Sequence, residues 1–259
     1  MSELYRRIIP KILLAKNASG NDVNSITTRN FNPFRVMGRP ISQAKIFQAN
    51  IADELIVLNV DKKNIDHSEL ISVTQQIGNE IFMPLSVGGG IEHFDQALKL
   101  FEVGVEKVVL DSIFSTNPGA VEKLAGRFGS QSLIGSCTFW DTSETQTQVK
   151  PHRTFLKLDE IRDRVKLMEE LGVGEIMIND ASRDGRRGGS NLDLLVAAIS
   201  ITKLPVIDSC GFGKTSHFIE SFLSGSSAVA VGTYFAYVDQ SILQLRNQLS
   251  NYGIRVRTK

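Results

Sequence analysis

Two stretches of this chain carry the residue types that hold a phosphate. In Ser86-Val87-Gly88-Gly89-Gly90-Ile91 a run of glycines follows an apolar segment. Such a backbone turns tightly, leaves its N–H groups facing outward, and hands over to a helix whose positive end adds to the attraction for an anion. Ser112, after the next apolar segment, supplies a hydroxyl donor. The same parts recur at an offset of 121 residues: Gly90 returns as Gly211 in Gly211-Phe212-Gly213, and Asp111-Ser112 returns as Gly232-Thr233. Two copies imply two phosphate cups facing each other, and a ligand, or an ancestral ligand, with a phosphate at each end. Asp111 cuts against the first cup, because a carboxylate within about 4–6 Å of a phosphate repels it unless it is protonated or paired. Asp111 is otherwise read as a helix N-cap.

The elements that must position these cups share the repeat. Asp53-Glu54-Leu55-Ile56-Val57 matches Gly174-Glu175-Ile176-Met177-Ile178 at the same offset, so the period is half a fold. Short apolar runs at residues 7–14, 54–60, 83–87, 107–110, 132–138, 175–179, 205–208 and 228–231 read as strands. Amphipathic stretches at 41–50, 68–77, 93–103, 119–128, 158–171, 192–199, 215–224 and 241–251 read as helices. Strands alternating with helices and duplicated at the midpoint predict a closed (β/α)8 TIM barrel, a single domain over residues 1–259, more than an open sheet. Residues 16–39 and 139–156 read as long loops after the first and fifth strands. In a barrel both lie on the face that carries chemistry. Trp140, at the top of the fifth strand, is placed to cover the barrel mouth or to pack the long loop.

Composition narrows the partners. A formal net charge of +1 gives no general attraction to nucleic acid or an anionic membrane. The N-terminus lacks an apolar signal region and no run is long enough to span a bilayer, so a cytoplasmic location is expected. Cys137 and Cys210 have no metal-ligand spacing and read as reduced core thiols. His67, His93, His152 and His217 read as surface or capping residues. No metal and no cofactor are expected.

Arg7-Ile8-Ile9-Pro10, Asp53-Glu54-Leu55, Ser86 to Ile91, Gly104-Val105-Glu106-Lys107-Val108, Phe128-Gly129-Ser130-Gln131 and Arg183-Asp184-Gly185 together resemble the cyclase subunit (HisF) of imidazole glycerol phosphate synthase, in order and over nearly the whole chain. The resemblance implies a (β/α)8 barrel that docks a glutaminase subunit at its N-terminal face as a heterodimer, passes ammonia along the barrel axis and uses it at the C-terminal face. It implies phosphate binding around Gly90, Ser112, Asp184, Gly185, Gly211, Gly232 and Thr233. It also implies a charged ammonia gate at Arg7, Glu54, Lys107 and Glu175, whose plainer reading is a salt-bridge plug of the barrel bottom.

The chain departs from the family where the chemistry is done. The resemblance places the two cyclase aspartates, acid and base for ring closure, at Leu13 and Thr138. Leucine carries no proton and a threonine hydroxyl is too weakly acidic to act near neutral pH, so the roughly 10²–10⁴-fold that each such group contributes is lost. Cys210, Phe212, Asp111 and Arg186 also replace family residues. A barrel with its gate kept and its carboxylates gone is similar to a branch associated with surface-polysaccharide genes, where ammonia goes to a separate sugar amidotransferase that forms an acetamidino group. Two alternatives stay open: an ordinary cyclase using another aspartate, such as Asp141, Asp180, Asp184 or Asp208, and a non-catalytic scaffold that activates the glutaminase.

Overall fold

The computed structural model describes residues 5–17, 19–140, 158–237 and 241–257. In chain order its strands are β1 (Arg7–Lys16), β2 (Val23–Arg29), β3 (Asn32–Gly38), β4 (Leu55–Asn59), β5 (Leu85–Gly88), β6 (Lys107–Leu110), β7 (Leu133–Phe139), β8 (Glu175–Asp180), β9 (Val206–Ser209) and β10 (Ala228–Val231). β1 and β4 to β10 run parallel, each beside the next. β1 pairs with β4 through residues 11–14 and with β10 through residues 7–10, which closes the sheet into a (β/α)8 barrel. The helices between them are α1 (Pro40–Ala49), α2 (His67–Gly78), α3 (Phe94–Glu102), α4 (Ile113–Thr116), α5 (Pro118–Phe128), α6 (Leu158–Glu170), α7 (Leu192–Ile201), α8 (Thr215–Leu223), α9 (Thr233–Tyr237) and α10 (Ile242–Asn251).

Strand periodicity sorts the side chains into two cores. Residues such as Ile8, Ile12, Leu55, Val57, Val108 and Leu110 point outward and join the helix faces in the larger cluster. Their neighbours point inward and fill the barrel in layers. Arg7, Ile9, Lys11 and Leu13 succeed one another up β1, as Lys107, Val109 and Asp111 do from β6 and Glu175, Met177 and Asn179 do on β8. The middle layer is a separate apolar cluster of Ile9, Ile56, Val109, Ile134, Met177, Ile207, Ala228 and Ala230. The barrel is therefore charged at the bottom, apolar in the middle and polar at the top.

Helix starts are fixed by side chains. Asp66 and Glu69 form a reciprocal capping box on α2, Ser241 and Gln244 do the same on α10, and Asn191 caps α7. Asp111 is not the N-cap of the helix that follows it; that position is Ser112, at the head of the four-residue α4.

The first long loop corrects the sequence reading. Residues 16–39 are mostly a hairpin, β2 and β3, which continues from β1 by antiparallel pairing of Leu13 to Lys16 with residues 23–26. Its turn is Asn30-Phe31, with φ of 51° and 59°, the backbone signs of a type I′ turn. The usual sequence signal for that turn is Asn-Gly. Here Phe31 sits where glycine is favoured, and the turn is held from outside, by Asp184. Most of the second long loop, with Asp141 and His152, lies outside the described residues. Trp140 is buried.

Candidate functional site

At the bottom of the barrel, four charged side chains from β1, β6, β8 and the residue before β4 face one another. Arg7 Nη1 lies 2.5 Å from Glu54 Oε1 and 3.0 Å from Glu175 Oε1, and Lys107 Nζ lies 3.3 Å from Glu54 Oε2 and 3.2 Å from Glu175 Oε1. Cations and anions alternate, so the ring is neutral and closed. Burial opposes the charge of Arg7, but Glu175 and Glu54 outweigh it and raise its pKa further. Glu175 Oε2 is buried without a hydrogen-bond partner, as is the hydroxyl of Ser86 in the barrel wall. Of the two cations, Lys107 makes the longer contacts and is the side more easily parted.

The top of the barrel opens into a cavity of about 160 Å³. Leu13 and Thr138 both line it, as do Gly90, Ser112, Asp111 and Asp184. The side chains at the two positions named by sequence are thus brought to one chamber, and neither is a carboxylate. Thr138 Oγ1 donates to Asp111 Oδ2 at 3.4 Å. Among the described residues, Asp111 and Asp184 are the carboxylates that line this chamber.

Asp184, Asp180 and Asp208 also hold structural contacts. Asp184 Oδ2 accepts from the Phe31 N–H at 3.0 Å, while its carbonyl accepts from Asn30 N at 3.0 Å. Arg186 Nε donates to Asn30 Oδ1 at 3.1 Å. At Gly185, φ is +70° and a Cβ would lie 2.2 Å from the Thr28 carbonyl. The segment expected to bind phosphate through Asp184 and Gly185 borders the small space at Gly211 and Gly232 and also engages the hairpin turn, and so latches the hairpin over the mouth. Replacing Asp184 by alanine is expected to loosen residues 23–38 by about 1.5–3 kcal/mol, the range for hydrogen bonds to a charged group. Hydrogen exchange should show it as lost protection in β2 and β3 with the eight barrel strands unchanged.

Asp180 is buried, accepts from Ser182 and from Asn191 Nδ2 at 2.7 Å, and so ties β8 to α7. Asp208 is buried on the outer side of β9, where Ser221 Oγ donates to it at 2.7 Å. Burial pushes the Asp208 carboxyl up to about 6, against the pull of Ser221 and, less strongly, of Lys11. The folded state then holds this proton more tightly than the unfolded chain does, so the contribution of Asp208 to stability is greatest below about pH 4 and is lost as pH rises towards 6. Asp208→Asn is expected to remove that decline. Urea unfolding of both proteins between pH 4 and 7 measures it.

The two cups differ. In the first, Gly89 packs so closely under Asn59 that a Cβ would lie 2.1 Å from its carbonyl oxygen, and Gly90, Ser112 and Ser115 border the open cavity. Lys62 and Arg164 also line it, and Arg164 Nη2 donates to Ser115 Oγ at 2.7 Å while its Nη1 is buried without a partner. Sequence reading missed both cations, which come from a loop and a helix with no phosphate motif. In the second cup, Gly211, Gly232 and Thr233 surround a space of about 20 Å³, room for roughly one water molecule, walled by Phe212 and Tyr234. His217 is buried, and its Nδ1 accepts the Gly213 N–H at 3.1 Å, a capping role turned inward. Burial also lowers its pKa. Cys137 and Cys210 are buried thiols pushed up to about 12 by desolvation, which makes them poor nucleophiles.

Among the described residues no helix is long and apolar enough to cross a membrane, and no group of three or more His, Cys, Asp or Glu is placed to hold a metal ion.

The profile of the family described as histidine biosynthesis protein matches residues 7–240. A Prochlorococcus marinus protein, provisionally named imidazole glycerol phosphate synthase subunit hisF2, is 32% identical over 257 residues, 98% of each chain. The imidazole glycerol phosphate synthase subunit HisF of Pyrobaculum aerophilum is 31% identical over 88% of this chain and 90% of its own length. That of Gluconacetobacter diazotrophicus is 31% identical over 98% and 96%.

Proposed function

Because the chain belongs to the histidine biosynthesis protein family, among the cyclase-type (HisF) subunits of imidazole glycerol phosphate synthase, we propose that it conducts ammonia from a docked glutaminase to an acceptor at the barrel mouth without closing an imidazole ring itself. The observation that carries this reading is the pairing of a complete charged ring below with Leu13 and Thr138 above. Ammonia is small and neutral. A neutral ring of ion pairs excludes ions while one salt bridge can part for it, and the apolar belt from Ile9 to Ala230 then admits ammonia more readily than ammonium.

The docking face supports the same reading. Tyr5, Ile51, Phe82, Leu223 and Tyr252 are exposed large apolar residues, and each lies just before a strand or at the end of a helix, hence on the bottom face around the ring. Phe82 is 94% exposed. A cluster of this kind marks a protein contact, and a glutaminase seated there would deliver ammonia straight to the ring. The acceptor in this reading is a sugar nucleotide held by a separate amidotransferase of surface-polysaccharide synthesis, a proposal that rests on the Leu13-Leu14 pair and the missing carboxylates.

The second reading, a ring-closing cyclase, is favoured by the names of the relatives and by Asp111 in the mouth cavity. The experiment that tests the first reading mixes the chain with its glutaminase. Complex formation and faster glutamine hydrolysis are expected, both lost in Phe82→Asp, and nitrogen from amide-labelled glutamine should reach the acceptor in preference to ammonium from solution. Equal use of the two nitrogen sources would refute conduction and leave a scaffold.

A further inference from the structure

Lys11 is a lysine in the middle of a strand that is covered on both sides, a place where charge is rare without a partner. It stands on β1 between Ile9 of the apolar belt and Leu13 of the mouth, so its side chain enters the barrel at the floor of the upper chamber. Its Nζ donates to Ser209 Oγ at 2.6 Å. Among the described residues no carboxylate lies within salt-bridge distance of it, whereas Lys107, Arg7 and Lys16 all have one. Lys11 borders the mouth cavity, the small space at Gly211 and Gly232, and a third space beside Ser25 and Phe47. It is the residue at which these spaces meet.

An ammonium in a partly dry chamber, held by one neutral hydroxyl, keeps most of its attraction for an anion, since a neutral hydrogen bond recovers little of what desolvation takes from a charge. Around it are further donors that an oxyanion can use: Asn179 from β8 and Ser136 from β7, which now bond each other at 3.0 Å. We infer that Lys11 is the central anion anchor of the upper chamber, gripping an oxyanion of the acceptor, a phosphate or a carboxylate, on the barrel axis and apart from the Gly90 and Gly211 turns. The charge also stands directly above the apolar belt, at the level of Ser209. Any cation climbing past the apolar belt meets Lys11 before it meets the acceptor, so nitrogen arrives there as ammonia. The anchor itself does not depend on the ammonia reading, because it concerns binding alone.

Calorimetric titration of the full chain with inorganic phosphate, and separately with malonate, tests the inference and tells the two oxyanions apart. Saturable binding of at least one of them is expected. Lys11→Met should weaken it at least tenfold, Lys11→Arg should stay within a few-fold of the parent, and Lys123→Met on the exposed face of α5 should change it less than threefold. Should Lys11→Met not fold, reductive methylation of the unaltered protein gives the same answer: the ligand should slow modification of Lys11 and leave that of Lys123, exposed on α5, unchanged. Unchanged affinity in Lys11→Met, an equal loss in Lys123→Met, equal methylation with and without ligand, or no saturable binding would each overturn it. Failure of nitrogen transfer with intact anion binding would instead count against the ammonia reading only.

Discussion

Replacing Arg246 by leucine is expected to lower the unfolding free energy by about 3–5 kcal/mol, the cost of leaving a buried charge without its partner. Arg246 is fully buried on α10 and occupies a core position there, with Ile242, Leu245 and Leu249 at helical spacing around it. Its Nη2 lies 2.7 Å from Asp53 Oδ1, an ion pair held by proximity more than by a well-directed hydrogen bond, and its other nitrogens have no hydrogen-bond partner. The second oxygen of Asp53 accepts the Ile8 N–H at 2.8 Å. Without the guanidinium, Asp53 keeps that backbone bond but loses its counter-charge, and the last helix loses its tie to the start of β1. Adding Asp53→Asn should restore part of the loss, because the amide oxygen still serves Ile8 and no charge remains to be paired. Urea unfolding of the single and double variants gives both values, and a loss under about 1 kcal/mol in Arg246→Leu would contradict this account of the pair.

The charged ring should respond almost as strongly. Arg7→Met removes two contacts at once and leaves Glu54 and Glu175 facing each other, with Lys107 alone to neutralise both. A loss of about 3 kcal/mol is expected, at the lower end of the buried range because water reaches part of the ring. Lys107→Met should cost less, since its contacts are longer. The two variants also separate a gate from a plug. If the ring only closes the barrel bottom, nitrogen transfer should follow stability in both. If it is a gate whose moving side is Lys107, then Lys107→Met should admit ammonium from solution and uncouple glutamine hydrolysis from transfer while the protein stays folded.

The barrel was legible because parallel strands covered on both faces read as apolar runs, and because the offset between Gly90 and Gly211 showed half a fold repeated. The four charges of the ring were named through the family resemblance, and their places at the starts of strands made it plausible that Arg7, Glu54, Lys107 and Glu175 would meet. The hairpin was not. Its turn uses Asn30-Phe31 in place of a glycine pair, and the force that holds it, the Asp184 carboxylate, lies 153 residues away in sequence. That Asp184 and Gly185, which border the small space at Gly211 and Gly232, also hold the hairpin turn was hidden for the same reason: a short motif does not say which further neighbour its atoms will meet. Lys11 went unnoticed because period-2 alternation needs to know which parity faces the barrel axis, and a strand apolar on both sides hides it. Counting between Arg7 and Leu13, the two residues of β1 already assigned to the barrel interior, would have placed Lys11 on the same face.

The central claim is that the upper chamber has no acid and base for ring closure. Free ammonium at mildly alkaline pH bypasses docking and conduction and tests the chamber alone. With the precursor of imidazole glycerol phosphate present in excess, formation of that product should be no faster than without protein. Product made over many turnovers, and abolished by Asp111→Asn, would contradict the claim and make Asp111 the catalytic carboxylate.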